Sequence, residues 1–407
     1  MTEGLPSANE IGRTVGLDSH PDLFSAAILA GNDPAKAKVL KVFDKLPIDS
    51  LETWAAKHLL PQDTIVLEAS GNSFEIVERL KKVERKAIVL ESYQASQIQS
   101  HYCVNDKISA VKLGRAWLSG LAKVVWVPDE KTRTRRQLLH VYRNSVKAST
   151  RLRNRVRAFL NEWRVRLAKG VSLMKKATLE DVLKARTWGR IEKGLLENLF
   201  NDLWRAEEQR KKWRTLIAEE VVQDSALLEL TRLIGIRDVL AFAIGAIVGD
   251  VKRFANPKKL VAYVGLNGSV QQSGNSCKEG GLKKHGRKDL RALIVQAAHC
   301  IMRQKDHPLR NWGVKLLCRK SKMNIAVVAV ARKLMVAVWY LMQGRFSKVE
   351  ALDATQQDKI KRMVRKIDKE YLKEIAKTRK EVVEEAFQKM KERIYILNPN
   401  KKYSPAG

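Results

Sequence analysis

The stretch LVAYVGLNGSVQQSGNSCKEGGLKKHGRKDLRALIVQAAH, residues 260–299, joins an apolar segment, a Ser/Gly-rich loop and the start of a basic helix. The apolar segment breaks at Asn267-Gly268, and the glycines that follow let the backbone approach a bulky ligand closely. The serines of this predicted loop are Ser269, Ser273 and Ser276. Apolar residues at helical spacing predict an amphipathic helix after the loop, with Leu290, Leu293, Ile294 and Ala297 on one face.

Basic residues follow the loop directly, at Lys283, Lys284, Arg287 and Arg291. A serine held beside such cations could attack a phosphodiester, because the cations would neutralise the charge that builds on the phosphorus oxygens. The alternative is a polar turn that precedes a basic surface helix. A short Ser/Gly loop is a weak motif, so the residues alone leave both interpretations open.

The whole chain is strongly basic. It has 407 residues, with 77 Lys and Arg against 44 Asp and Glu, which gives a formal net charge of +33. This balance indicates a polyphosphate partner, and the length allows two or three domains. A membrane surface is the competing anion, but we expect no lipidation motif, signal peptide or spanning helix. The most apolar stretch, residues 324–342, contains Arg332 and Lys333 and is therefore predicted to be a buried helix.

Cysteine usage favours a reducing, intracellular setting. The four cysteines show no CxxC spacing, which argues against a zinc ribbon and against a disulfide framework. They are Cys103, Cys277, Cys300 and Cys318.

Short strands and helices alternate in the N-terminal region. Strands are predicted at residues 14–17, 23–29, 64–67 and 87–91. A helix is predicted through Leu40, Phe43, Leu46, Leu51 and Trp54, and another after the turn Ser70-Gly71-Asn72. Charged residues are rare at the end of a buried strand unless they are paired, so the acids that follow these strands are candidates for function.

Asp18 and Glu68 occupy the same position, directly after a predicted strand. A third acid, Asp106, opens a helix in which Ser109 lies three residues on and therefore shares its face. Three such acids could surround one or two hard cations, which prefer oxygen ligands, and two such ions support phosphodiester cleavage. Asp18 taken alone is more typical of a turn residue, and Asp106 could equally be a helix N-cap.

The middle of the chain is predicted to be two long helices. Residues 131–167 form a basic helix, in which Arg151 and Arg155 are among many arginines predicted to contact phosphate. A break at Lys169-Gly170 lets the second helix fold back as a coiled-coil hairpin or pair with another subunit.

Two further features lie on either side of the opening stretch. Ile234-Gly235-Ile236 is a hairpin between two helices, which either offers backbone N–H groups to a phosphate or is a plain turn. After residue 345 a single charged helix is predicted, with apolar residues at helical spacing from Ile360 to Ile394, followed by a frayed tail.

Five motifs in this order carry a resemblance to a known family: VGLDSHPD, VLEASGN, NDKISA, IGIRDVLAFAIGAIVGDVKRFANPKKLVAYVGLNGSVQQSG and LKKHGRKDLRALIVQAA. Together they resemble the "IS one-ten" family of insertion-sequence transposases, relatives of the Piv DNA invertase, in register from about residue 15 to residue 343. The resemblance implies an α/β RuvC-like (RNase H fold) domain at residues 11–129 and coiled-coil helices at 130–222. It implies a mainly α-helical serine transposase domain with a helix-hairpin-helix at 223–345, followed by a charged C-terminal helix and tail at 346–407.

The resemblance also implies a reaction and its partners. Members recombine donor and target DNA under the guidance of a bridge RNA transcribed from the element's own end, through a covalent serine–DNA intermediate and with Mg²⁺ at the RuvC-like site. Because the active site is thought to combine domains from different subunits, a homo-oligomer, a dimer or a tetramer, is expected. The expected location is the cytoplasm of a bacterium or archaeon, in association with the nucleoid.

Carried over by motif, Asp18, Glu68 and Asp106 correspond to the family's first three acids, and the fourth acid falls on Ser109. Serine cannot give Mg²⁺ a full negative charge, so at least one ion should bind more weakly. Either one ion suffices, or a nearby acid such as Asp129 or Glu130 substitutes, or this copy is inactive.

The family's serine nucleophile falls on Ser273, followed by Gly274, with Ser269 as the second candidate on the same predicted loop. Lys283, Lys284, Arg287 and Arg291 would then contact phosphate. Two other functions compete with a recombinase: a RuvC-like metal-dependent nuclease in which Ser273 is structural, and a catalytically inactive RNA- or DNA-binding protein.

Overall fold

The computed structural model describes residues 13–92, 106–273, 276–282, 285–305, 307–345 and 354–397. The chain divides into two compact units, residues 1–129 and residues 130–407. The first unit is a mixed α/β sheet domain and the second is mostly helical, which confirms the expected order of fold classes.

The strands of the first unit are β1 (Thr14–Ser19), β2 (Leu23–Ala30), β3 (Lys38–Pro47), β4 (Thr64–Glu68), β5 (Lys86–Leu90) and β6 (Val124–Val125). They form one sheet in the order β3-β2-β1-β4-β5-β6. Strands β1 to β3 are antiparallel, β4 and β5 run parallel to β1, and β6 is antiparallel to β5. Because β1 and β4 are parallel neighbours, their carboxyl ends meet at one edge of the sheet.

The helices of the first unit, within the described residues, are α1 (Leu51–His58), α2 (Ser73–Lys82) and α3 (Asp106–Leu118). Both faces of the sheet are covered. Helices α1 and α2 bury Trp54, Ile76 and Leu80 against one face, and α3 buries Ala110 and Leu113 against the other. The predicted strands in this region, the helix after residue 72 and the helix that begins at Asp106 are all confirmed.

The helix predicted through Leu40, Phe43 and Leu46 is wrong over those residues, because Lys38–Pro47 is strand β3. Between the pairs Phe24–Leu46 and Ala26–Phe43 the register with β2 shifts, since β3 has one residue more than β2 there. Such a bulge brings Phe43 and Leu46 to the same face of the strand although they are three residues apart. The apolar spacing therefore imitates a helix.

Gly16 brings helix α3 unusually close to strand β1. A Cβ atom at Gly16 would overlap the carbonyl oxygen of Ala110 and would lie 2.8 Å from the backbone nitrogen of Gly114. Only glycine leaves room for this approach, which sets the position of the N-terminal end of α3 relative to the carboxyl end of β1.

Replacing Gly16 with alanine is expected to destabilise the first unit by about 3 kcal/mol or more, because backbone atoms of α3 must move to admit the methyl group. Denaturation by guanidinium, followed by a signal from the first unit, measures this effect. The control is Gly71→Ala, since a Cβ at Gly71 meets nothing within 4 Å. Equal stability of the two variants would show that α3 does not depend on this contact.

The described helices of the second unit are α4 (Glu130–Glu162), α5 (Lys176–Lys184), α6 (Arg190–Gln223), α7 (Ser225–Leu230), α8 (Asp238–Val248), α9 (Pro257–Val264), α10 (Lys288–Met302), α11 (Pro308–Lys320), α12 (Met323–Met342), α13 (Ala354–Val364), α14 (Lys369–Glu374) and α15 (Arg379–Leu397). Between α9 and α10 the chain forms a two-stranded hairpin of β7 (Gly268–Ser273) and β8 (Ser276–Leu282).

Helices α4 and α6 pack antiparallel along their length. Arg135 on α4 bonds to Glu220 and Asp224 near the end of α6, at 2.9 and 2.8 Å, whereas Arg153 further along α4 bonds to Glu207. The predicted fold-back is therefore present. The basic helix ends at Glu162 rather than near residue 167, and α5 lies in the connection.

Helix α12 explains the most apolar stretch of the sequence. Among the described helices it alone is long and apolar enough to cross a membrane by length and composition. Half of its apolar stretch is buried inside the protein. It packs against α9, α10 and α11, and the indole N–H of Trp339 donates to the carbonyl oxygen of Phe254 at 3.1 Å. A core position accounts for its apolarity, as the sequence predicted.

The predicted single C-terminal helix is wrong, because the described part of this segment forms the three helices α13, α14 and α15. Asp368 caps α14, and Ala376, with a φ of 50°, prevents the helix from continuing. Thr378 and Glu381 form a capping box at the start of α15. The segment belongs to the main core of the unit, where it buries apolar side chains such as Ile360.

Candidate functional site

A candidate metal site in the first unit brings together Asp18, His20 and Asp106. Asp18 lies in β1, Asp106 is the first residue of α3, and His20 follows β1. One potential ligand atom from each of the three lies within 4.8 Å of the others, and His20 Nε2 is 3.5 Å from Asp106 Oδ1. Glu68, at the end of β4, is close enough to Asp18 for their charges to interact.

The two strand-end acids hold their protons more tightly than free carboxyls do. Burial raises the pKa of Asp18, and the charge of Asp106 adds to this against the opposing effect of His20. Burial also raises the pKa of Glu68, and the charge of Asp18 adds to this against a hydrogen bond from Ser92. The local environment therefore resists a build-up of negative charge.

This arrangement fits a divalent cation. A cation within reach of Asp18 and Asp106 would relieve the repulsion between these two carboxylates and would offset the burial that raises the pKa of Asp18. His20, with about half of its side chain exposed, offers a nitrogen ligand beside the two acids. The sequence reasoning missed His20, although it lies two residues after Asp18 in the first quoted motif.

Asn72 connects the turns that follow β1 and β4. Its side-chain amide donates to the carbonyl oxygen of His20 at 2.9 Å, and its Oδ1 accepts from Ser70 Oγ at 3.0 Å. The Ser-Gly-Asn turn after Glu68 therefore fixes the turn that carries His20. This gives a physical role to the quoted motif VLEASGN.

Ser109 is buried one helical turn after Asp106. It has a neutral hydroxyl where the resemblance expects a fourth carboxylate. Asp129 is exposed and is not part of the group formed by Asp18, His20 and Asp106 among the described residues. Glu130 belongs to the second unit.

The predicted Ser/Gly loop is wrong as a loop, because its residues form the hairpin of β7 and β8. Ser273 is the last residue of β7 and pairs with Ser276, whereas Ser269 lies within β7. Gly274 is outside the described residues. Two short runs separated by Gly-Asn are a hairpin signal that the sequence contained.

Gly265, which ends α9, allows a tight junction at the foot of this hairpin. Its φ of 79° is in the left-handed region, and a Cβ there would overlap Arg291 and the backbone of His285. Arg291 Nη1 donates to the carbonyl oxygens of His285, Val264 and Gly265, at 3.0, 3.3 and 3.3 Å. Arg291 therefore ties the two ends of the hairpin together.

Arg287 also has an intramolecular partner, because it forms two hydrogen bonds to Asp289, at 3.1 and 2.8 Å. Burial lowers its pKa, but the bonds to Asp289 and the proximity of Tyr263 outweigh this and raise it overall. Lys283 and Lys284 lie outside the described residues. Phosphate contact by these four residues stays a prediction.

Arg151 and Arg155 lie on the exposed side of α4. They share this open face of the helix with Val146, Lys147, Thr150, Asn154 and Ala158. Their exposure leaves both guanidinium groups accessible to a nucleic acid, and their binding role stays a prediction.

The turn Ile234-Gly235-Ile236 connects α7 and α8, as the sequence predicted. The first residue of α8 is Asp238, a buried carboxylate that pairs with Lys366 and lies 3.7 Å from Arg214. Because a side chain of the protein already supplies the negative charge at this helix N-terminus, a structural turn is favoured over a phosphate site.

The family comparison matches the part of the second unit that contains this turn and the β7–β8 hairpin. Residues 228–312, which include α8, α9, the hairpin and α10, match the family model described as Transposase IS116/IS110/IS902 family. This region is similar to the transposase domain of the IS110 family. The resemblance recognised in the sequence is thereby confirmed.

Two transposases illustrate the similarity beyond the IS110-family domain. The chain is 24% identical over 242 residues to the transposase for insertion sequence element IS1111A of Coxiella burnetii, a match that covers 58% of this chain and 66% of that protein. It is 26% identical over 216 residues to the transposase for IS1328 of Yersinia enterocolitica, with 52% and 64% covered. The matches thus span just under two thirds of these relatives.

Proposed function

We propose that the protein is the transposase of an insertion sequence, which cleaves and exchanges DNA strands. The observation that carries this proposal is the IS110-family match over residues 228–312, because the matched segment contains the hairpin with both candidate serines. The formal charge of +33 supports a nucleic-acid partner.

The hairpin supplies the proposed nucleophile. Ser273 Oγ attacks a backbone phosphorus, a serine–phosphate bond forms, and the bond from phosphorus to the leaving strand's oxygen breaks. That oxygen takes up a proton and becomes a free hydroxyl. Attack by a hydroxyl of another strand then releases Ser273 and joins the new strands. Basic residues at the foot of the hairpin stabilise the charge on the phosphate oxygens.

The first unit is proposed to be RuvC-like. The meander of β1 to β3, continued by parallel β4 and β5, and the acids at the ends of β1 and β4 support this interpretation. Asp18, Glu68 and Asp106 would hold Mg²⁺, with His20 as a further ligand. When bound, the ion would polarise phosphate oxygens and lower the pKa of a bound water or hydroxyl.

Guidance by an element-encoded bridge RNA, association into a dimer or tetramer, and a cytoplasmic location at the nucleoid belong to the same proposal. They follow from the family resemblance. The exposed basic side of α4 around Arg151 and Arg155 is the surface we assign to RNA or DNA backbone contact.

A metal-dependent nuclease is the second candidate. It is favoured by the cluster of Asp18, His20 and Asp106, which the first unit forms from its own residues. In that case cutting would require the metal cluster and would not require Ser273.

The test is recombination in cells that hold a plasmid with the two ends of the element and a target plasmid. We expect sequenced donor–target junctions only when the protein is produced together with the end that encodes the RNA. Linearised plasmids without junctions would instead support the nuclease. If neither junctions nor linearised plasmids form, both proposals are contradicted.

A further inference from the structure

A small cavity lies between the end of α6 and the C-terminal helices of the second unit. It has a volume of about 220 Å³, which is below the range of about 300–1,000 Å³ that is typical of pockets for drug-sized ligands. Its apolar wall consists of Val222, Ile367, Ile375, Val382 and Ala386. The cavity therefore has room for a small ligand with an apolar part.

Glu219 is the buried acid of this cavity, with only 6% of the residue exposed. Its Oε1 accepts a hydrogen bond from the backbone N–H of Asp368 at 3.3 Å, and the carboxylate has no other hydrogen bond and no ion pair among the described residues. Burial raises the pKa of Glu219, and the charges of Asp368 and Glu374 add to this against the bond from the Asp368 N–H. The protein itself therefore supplies no cation for this buried carboxylate.

Two lysines also line the cavity, but each of them has another partner. Lys377 Nζ lies 2.5 Å from Glu385 Oε1, and Lys389 Nζ donates to the carbonyl oxygen of Gln223 at 3.4 Å. Neither lysine forms an ion pair with Glu219. The positive charges of the cavity wall are thus directed to other groups.

Tyr371 adds a hydroxyl group to the same cavity. Burial raises its pKa, and the charges of Glu219, Glu220 and Glu374 raise it further against the charge of Lys377. A ligand that complements these groups carries one positive charge, has N–H donors and has an apolar chain. A divalent metal ion fits less well, because such an ion takes several oxygen ligands and commonly more than one carboxylate.

A structural role explains only part of the position of Glu219. The bond to the N–H of Asp368 ties α6 to the start of α14. The side-chain carbonyl of a glutamine would make the same bond without the cost of burying a charge. The charge of Glu219 and the space beside it remain, and a cationic ligand would use both.

We propose that this cavity binds a small primary alkylamine as its ammonium ion, with the ammonium group on Glu219 and Tyr371 and the alkyl chain along the apolar wall. The proposal does not depend on the proposed transposase function. A lysine side chain of another polypeptide carries the same chemistry, so the experiment includes both sources. Because the whole chain has a formal net charge of +33, it attracts few cations elsewhere, and saturable binding of an amine would identify a specific site.

The test is a calorimetric titration of the full chain with n-butylammonium chloride at constant ionic strength. Butan-1-ol presents the alkyl chain without the charge, and NaCl presents a cation without the chain. Nα-acetyl-lysine N-methylamide represents the lysine side chain of a polypeptide. The variants are Glu219→Gln and Tyr371→Phe, and the matched control is Glu208→Gln, an exposed acid on the same helix outside the cavity.

The unchanged protein is expected to bind one n-butylammonium ion per chain. Glu219→Gln is expected to weaken this binding by about 10-fold or more, because a hydrogen bond to a charged group is lost. Tyr371→Phe should weaken it several-fold, and Glu208→Gln should leave it unchanged. Tighter binding of the lysine amide than of n-butylammonium would assign the cavity to a lysine side chain, and the reverse order would assign it to a free amine.

Three results would overturn the proposal. The first is that neither amine binds saturably to the unchanged protein. The second is an equal affinity of folded Glu219→Gln and Glu208→Gln for n-butylammonium. The third is that butan-1-ol binds as tightly as n-butylammonium, which would show that the charge of Glu219 is not used. Thermal unfolding of each variant identifies any loss of the fold, and Tyr371→Phe keeps the comparison decisive if Glu219→Gln does not fold.

Discussion

Replacing Ser273 with alanine is expected to abolish strand exchange, by on the order of 10⁴-fold or more, while nucleic-acid binding changes little. The reason is chemical: without Oγ no serine–phosphate bond can form, and the alternative nucleophile is an unactivated water. The change removes one oxygen atom at the end of β7, where Ser273 pairs with Ser276. It should therefore leave the backbone pairing of the hairpin intact.

The control for this prediction is Ser269→Ala on the same strand. Ser269 lies four residues before Ser273, close to the foot of the hairpin, so its replacement tests the hairpin without touching the proposed nucleophile. Junction formation is quantified by amplification across donor and target, and binding by anisotropy. Recombination that persists in Ser273→Ala but disappears in Ser269→Ala would move the nucleophile to Ser269.

Replacing Asp106 with asparagine is expected to remove both divalent-ion binding and DNA cleavage at the proposed metal site, the latter by on the order of 10²-fold or more. Asp106 contributes one of the three ligand atoms that lie within 4.8 Å of one another, and asparagine keeps its shape but not its charge. The matched control is Asp49→Asn, an exposed acid of the same unit outside this cluster.

The pH dependence of stability tests the same cluster without any activity assay. The pKa values of Asp18 and Glu68 are raised in the folded protein, so the unfolded chain releases these protons at a lower pH than the folded chain does. The stabilisation by these two groups is therefore fully present below the ordinary pKa of about 4 and is lost as the pH rises through the raised values.

A bound divalent ion should restore that lost stability at neutral pH, and its effect should shrink as the pH falls and protons compete for the carboxylates. Thermal unfolding with and without MgCl₂, between about pH 5 and pH 8, measures this directly. We expect Asp49→Asn to keep the MgCl₂-induced rise in Tm and Asp106→Asn to lose it. A rise that survives in Asp106→Asn would place the ion elsewhere.

The sequence predicted that Asp18 and Glu68 lie at the ends of neighbouring strands. Each acid ends a short apolar run, and parallel neighbouring strands bring such residues to one edge of the sheet. His20 escaped because a turn residue has no periodicity, and its position depends on Asn72, which is 52 residues away. Long-range contacts of this kind leave no local signal.

The wrong predictions of secondary structure also have physical causes. In β3 a bulge gave Phe43 and Leu46 a helical spacing, so the local pattern favoured the wrong state. In the C-terminal segment the apolar period continues across Ala376, whose positive φ ends the helix. The capping box at Thr378 and Glu381 was a readable signal for that break.

The roles of the basic residues could not be read from charge alone. Arg291 is bonded to three carbonyl oxygens and Arg287 to Asp289, so each has a structural task beside any contact with phosphate. Asp289 itself drew no attention in the sequence, because an acid in the first turn of a helix is ordinary. Its contact with Arg143, which is distant in the chain, could not be predicted from the local sequence.

The most direct test of serine chemistry is to recover the protein under denaturing conditions after it has met a cognate DNA junction, digest both components and analyse the peptides by mass spectrometry. Trypsin releases residues 260–278 as one peptide, which contains Ser269, Ser273 and Ser276, and fragmentation distinguishes the three. We predict a nucleotide adduct on Ser273. Free DNA ends that require a divalent ion, with no adduct on any of these serines, would contradict the proposed recombinase and support the nuclease.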